Sequence, residues 1–454
     1  MNELSMPSHI VVSHAHVSRL SARIVASAVL ALSCCQSSTV ASQRGDTSTR
    51  PLEPSPNAEQ IHYRFSATPA PTTDTDAAIR FLEARVKAAG NNATDAGDLA
   101  DAYLRRAQTN GDVEGFRQAE EMAKRSLDIL PSPNGATLTL AKIAGARHDF
   151  QQAIAIAQAA LAHKRSAGAY GILATDYLAL GRLAEATDAA ESAIEIAPSM
   201  SAYLTRALVM QAQGRDAEAA FDFAHALTVE TPDDRQESAR VRTLWGRFCL
   251  RRGDLTGAAM LFDEALRIVP AQPLALAHQA ELALRRGQLK EARAGFEQAF
   301  ASSRQLRYLM DLSRAQELAG DAAAAESSRA QVETIIRAEL EEKGIGHQLD
   351  LVEILVDRAR PADLTEAVTR ARDEVSRRPS AETRFQLARA LARSGANVEA
   401  KQQVHAALAT GVRDARLYEL AARVENGPRS TLYTRLAEQL DPGASGWRQL
   451  GLAH

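Results

Sequence analysis

Cysteine is nearly absent from this chain, which has only Cys34, Cys35 and Cys249. Two adjacent residues and one distant one cannot build a disulfide framework, which needs an even set at spread positions. Cys249 sits in an apolar helical pattern, where an inert buried thiol is expected. Aromatic residues make up 5%, which excludes a core of large rings and leaves alanine and leucine to pack closely spaced helices. Charge of one sign is missing too: 53 basic residues against 56 acidic ones give a net −3, so bulk charge offers no support for nucleic-acid binding. The apolar run IVASAVLAL (24–32) is nine residues long, well short of the roughly 20 that cross a bilayer as a helix. No HExxH, GxSxG, P-loop or CxxC stands where its chemistry would need it. The glycines fall in inter-helix turns rather than after strands, and no segment is left over for a catalytic domain. An intrinsic enzyme, a metal site and a cofactor are therefore not expected.

What is present begins with the leader. Arg19 and Arg23 precede the short apolar run, and Ser33, Cys34 and Cys35 follow it, the order of a secretory signal over residues 1–34. ALSC (31–34) resembles the lipobox of bacterial lipoproteins, although Ala31 stands where that pattern prefers leucine. The resemblance implies export across the inner membrane, acylation at Cys34 and a periplasmic or membrane-anchored protein of the cell envelope. The other reading is a plain signal peptide cut nearby, around Ala41. His9, His14 and His16 precede the cleavage point and are not expected to hold a metal. Residues 35–73 are rich in Ser, Thr and Pro and read as a flexible tether.

From residue 74 the period is helical almost to the end, with no convincing alternation at period two. N-terminal helices and a degenerate first repeat are expected over 74–131, a regular array over 132–427, and a degenerate repeat with a capping helix over 428–454. GRLAEATDAAESAIEIAP (181–198) recurs as GRDAEAAFDFAHAL, GDLTGAAMLFDEALRIVP, GQLKEARAGFEQAF and GDAAAAESSRAQVETI. The leading glycines step by 33, 39, 34 and 33 residues, the long step coinciding with the polar insert ETPDDRQES at 230–238. Glycine allows the tight turn, alanines such as Ala186 and Ala193 let helices approach, and proline stops the second helix. An upstream helix completes each unit, as YGILATDYLAL before Gly181 or RTLWGRFCL before Gly253.

Together these features resemble the tetratricopeptide repeat (TPR), over residues 97–442 in about nine units. The resemblance implies an all-α, right-handed α-solenoid of stacked antiparallel helix pairs whose first helices line a concave groove. Arg206 and Gln279 depart from it, standing where leucine is usual. Groove-facing positions counted from the repeat starts hold Arg240, Arg247, Arg251, Arg285, Arg307, Arg314, Arg360, Arg389 and Arg393, with Glu281 and Glu317 interspersed. Arginine forks pair two-pronged with carboxylates, so the second half of the groove is expected to bind an acidic partner segment or a chain-terminal carboxylate. The alternative is ordinary arginine, solvated or paired with Glu281 and Glu317. The Lys/Asn set with which some TPR proteins grip a terminal carboxylate is missing.

The function so expected is a non-enzymatic protein-interaction scaffold of the cell envelope; the alternatives are a structural assembly subunit or an accessory protein to an envelope enzyme or transporter. GWRQLGLAH at the C-terminus reads as half a repeat, either a capping helix or one completed by a second chain in a homodimer.

Overall fold

The computed structural model describes residues 55–66, 75–111, 113–131, 133–341 and 347–443. The leader with Cys34 and Cys35, most of the tether and the GWRQLGLAH half-repeat lie outside the described residues. Among those described there are 22 helices and no strand. After Ala58–Ile61 and Thr75–Ala89, the other twenty form ten consecutive pairs, from Ala93–Asn110 with Val113–Ile129 to Ala415–Val424 with Pro428–Leu440. The stacked helix-pair solenoid is thus the fold the chain adopts. The boundary expected at 427 falls inside the last pair, whose second helix buries only Ala437 and so lacks the small-residue signature of its predecessors.

Each regular turn is built the same way. Gly181 takes φ +73°, a region open to glycine at no steric cost. The Arg182 N–H then reaches back to the Tyr177 carbonyl at 2.8 Å, the six-to-one bond that closes a helix C-terminus. Equivalent bonds run from Arg215 to Met210 and from Asp254 to Cys249. Ala186, Ala190 and Ala193 are buried as the sequence pattern requires. Cys249 is also buried, and burial, followed by the nearby Asp254, raises its thiol pKa. Arg206 is compensated within its own pair and Gln279 by the second helix of the pair before it. Arg206 forks onto buried Asp222 at 2.7 and 2.8 Å, and Gln279 donates to Asp263 at 2.8 Å.

First helices of neighbouring pairs pack on one another, which puts them on the inner side of the array. Successive superhelical turns also meet. The Arg413 N–H donates to the Ala212 carbonyl at 2.7 Å, Arg252 to the Leu440 carbonyl at 2.7 Å, and Gln305 to the Gln108 carbonyl at 3.1 Å. Loops between pairs therefore rest on the inter-helix turns of pairs about six repeats earlier. A Cβ at Gly181 or Gly214 would lie 3.2 and 3.1 Å from Thr410 and Arg413, so these glycines serve the seam between turns as well as the local fold.

One buried acid is out of place. Asp176 is 3% exposed, and its Oδ2 has no hydrogen-bond partner. Burial raises its pKa from 3.8 to about 7. Across that window the native state keeps a proton that the unfolded chain has released, so its contribution to stability falls as pH rises and is flat above it. Asp176→Asn should remove this slope and raise the unfolding free energy at pH 8, by up to about 4 kcal/mol if the whole shift is recovered. Thermal melts from pH 4 to 8 check both effects.

Candidate functional site

The expected tether proves ordered in one stretch. In residues 55–66 the side chains alternate: Ile61 and Tyr63 are buried and Phe65 half-buried, while His62, Arg64 and Ser66 are exposed. The flexible reading fails here because Ile-x-Tyr-x-Phe is a short amphipathic strip that finds an apolar slot. Tyr63, 1% exposed, packs with Ile268 and with Ala239, Ala265 and Ala275, three alanines that leave room for a ring. Ile61 joins the cluster of Phe223, Trp245 and Phe248.

The backbone of this strip is read as closely as its side chains. The Tyr63 N–H donates to Glu264 at 2.6 Å, and Arg267 donates to the Tyr63 carbonyl at 3.2 Å. The Arg242 Nε donates to the Ile61 carbonyl at 2.6 Å. Arg242 itself is fully buried, paired with Glu230 at 3.0 Å, and Ser238 bonds Glu230 at 2.7 Å. Glu230 and Ser238 are the ends of the polar insert that lengthens one repeat. The insert thus supplies part of the receptor, along with a longer first helix, Arg235–Arg251.

The groove arginines divide. Arg240 pairs with Glu237 at 3.0 Å on the surface. Arg251 and Arg285 share Glu281 at 3.3 and 3.2 Å, and Arg285 also holds Asp441 at 2.6 Å. Burial pushes the Glu281 carboxyl up, but Arg251, His278 and Arg285 overcome it and hold it well below the usual range. Arg307 pairs with Asp311 and Glu353 at 3.3 and 3.2 Å. Buried Arg314 meets Glu353, Asp311 at 3.3 Å and Asp357 at 3.1 Å, and Arg389 meets Asp357 at 2.9 Å. Arg360 lies against Glu326 at 2.9 Å. The freely available basic surface expected in the second half is therefore largely neutralised from within. Its carboxylates come from the same helix at Asp311, from neighbouring first helices at Glu353 and Asp357, from a second helix at Glu326 and from the next superhelical turn at Asp441, beyond the interspersed Glu281 and Glu317 visible in the repeat pattern.

Two of the expected arginines are placed differently. Arg393 is exposed on a cleft of about 450 Å³ that also presents Glu317, Asp357 and Asn397. Arg247 is half-buried, and among the described residues it makes no hydrogen bond or ion pair. Burial, reinforced by Arg251 and Arg416 and opposed by Glu281, pulls its pKa down to about 10.

No group of His, Cys, Asp and Glu that could hold a metal occurs among the described residues, and no described helix is long and apolar enough to cross a membrane. No protein-family model and no curated protein matches the chain. Among solved structures it is similar to a tetratricopeptide repeat protein from Parabacteroides merdae, at 18% identity and TM-score 0.36, over 52% of this chain and 92% of that one. It is also similar to PilW, a widely conserved type IV pilus biogenesis factor, at 21% identity and TM-score 0.36, over 44% and 91%. A third is human IFIT1, solved as a dimer with PPP-AAAA, at 15% identity and TM-score 0.43, over 78% and 98%.

Proposed function

We propose that the chain is a non-enzymatic scaffold that binds extended segments of partner proteins. The observation that carries this reading is that the array holds residues 61–64 of its own chain through three backbone hydrogen bonds and two buried side chains. Backbone contacts supply affinity and alternate side-chain pockets supply specificity, the logic of extended-peptide recognition. The partner is proposed to be acidic where it meets the inner surface at Arg393, since Arg247 lies in a cleft between superhelical turns and the other seven expected groove arginines already hold carboxylates. Reversing Arg393 to glutamate, with crosslinking in the native cell, tests this. Loss of captured partners with an unchanged melting curve is expected, and an unchanged partner set contradicts it.

Cell-envelope placement is part of the same proposal and rests on the leader and Cys34. Acylation at Cys34 would leave the docked segment at residue 55 within about 75 Å of the membrane, the reach of an extended chain of that length. Mass spectrometry of the mature N-terminus, wild type against Cys34→Ala, decides it. A homodimer through residues 443–454 is proposed as well, and an unchanged molar mass by light scattering after their deletion would count against it.

A further inference from the structure

We infer that the cleft at Arg247, between two superhelical turns, is a binding site for a small organic acid, one carboxylate carried on a short apolar body. The cavity, about 340 Å³, is walled on one side by Leu208, Gln211 and Arg247 from two first helices. The next superhelical turn closes it with Val412 to Arg416 and Leu440. A smaller apolar recess shares Leu178, Ala212 and Val412 with it and continues to Phe385.

The charge pattern selects the ligand. Every other half-buried cation on this wall has an internal anion. Arg251 has Glu281 at 3.3 Å, Arg252 has Asp216 at 2.7 Å, and Arg416 has Asp414 at 2.8 Å. Exposed Arg413 donates to the Tyr418 hydroxyl at 3.0 Å. Among the described residues Arg247 is left with no carboxylate in bonding reach, and a half-buried unpaired charge is unfavourable. The Arg247 guanidinium thus lacks a counter-charge, which a monocarboxylate supplies through the two-pronged geometry arginine favours. A phosphate group would bring a charge of about −1.5 to −2 close to Asp414 and Asp441, both on the same wall. On that wall the Gln211 Oε1 is also buried without a partner, so a further polar group on the ligand has a place to bond. Because the two turns are bonded together beside the cleft, Arg413 to the Ala212 carbonyl and Arg252 to the Leu440 carbonyl, a free small molecule fits better than a chain that would have to thread between them. Bound there, it would join Arg247 of one turn to the Val412–Arg416 stretch of the next.

Calorimetric titration of the full chain tests this with hexanoate, with hexanamide as its uncharged counterpart, and with the peptide acetyl-Ala-Ala-Leu bearing a free carboxyl terminus. Saturable one-to-one binding of hexanoate is expected, at least tenfold tighter than hexanamide and at least tenfold weakened in Arg247→Leu. That variant removes an unpaired charge, so its melting temperature should not fall. If it does not fold, the hexanoate–hexanamide comparison on the wild-type chain still decides. The inference is overturned if hexanoate does not bind, if hexanamide binds as well, if Arg247→Leu binds hexanoate unchanged, or if the tripeptide binds tenfold tighter than hexanoate. None of these results touches the docked segment at Tyr63, so the scaffold reading stands or falls separately.

Discussion

Replacing Arg242 with methionine should lower the unfolding free energy by about 3–5 kcal/mol, the loss typical when one partner of a buried ion pair is removed. Arg242 is fully buried, and its guanidinium serves Glu230, the Ser238 carbonyl and the Ile61 carbonyl at once. Methionine fills much of the volume but leaves Glu230, itself 6% exposed, without its main counter-charge. It also frees the Ile61 carbonyl, so residues 55–66 should come loose and Arg64 become a trypsin site. Adding Glu230→Gln should recover more than half the loss, because the orphaned charge is the main cost. Urea unfolding followed by circular dichroism, with limited trypsin digestion, measures both. A loss under about 1 kcal/mol would mean that the pair is solvated and is not what seats the segment.

The second large effect runs against helix propensity. Gly246 lies inside the helix Arg235–Arg251, where alanine would ordinarily add up to about 1 kcal/mol of stability. Here a Cβ would sit 2.5 Å from Phe262 Cε1 and 2.8 Å from Cδ1. Phe262 is itself fully buried and has nowhere to turn. Gly246→Ala should therefore destabilise by about 1–3 kcal/mol, the usual result of overpacking a filled core. Phe262→Leu on the same chain should cancel part of it. A thermal melt in which Gly246→Ala is more stable than wild type would contradict the packing described.

The array was readable because its signals repeat. A glycine at the turn, alanines at the close approaches and an apolar upstream helix recur every 33 or 34 residues in most steps, and each is dictated by one local contact. His148 shows how far the pattern bends. It occupies a turn position with φ +59°, where its neighbours use glycine, and the Asp149 N–H still closes the turn onto the Ala144 carbonyl at 2.9 Å. The docked segment is the opposite case. Ile61-x-Tyr63-x-Phe65 is too short to register as a period, and its receptor is assembled from Glu230, Ala239, Glu264 and Arg267, residues 165 or more positions away. The inner arginines fall between. Their inward placement follows from repeat position, but Arg314 is answered by Glu353 on the next first helix and Arg285 by Asp441 on the next superhelical turn. Neither pairing can be counted from repeat spacing alone. Arg247 stands out only once those pairs are assigned.

The most direct test of the central claim uses a chain whose own segment has been released by Ile61→Ala and Tyr63→Ala. A fluorescently labelled peptide of residues 55–66 is titrated into it and followed by anisotropy. The account predicts saturable one-to-one binding that the wild-type chain, with its site already filled, shows at least tenfold more weakly, and that a peptide carrying Tyr63→Ala loses. No binding to the released chain, or equal binding of both peptides, would contradict the claim that this array recognises an extended segment.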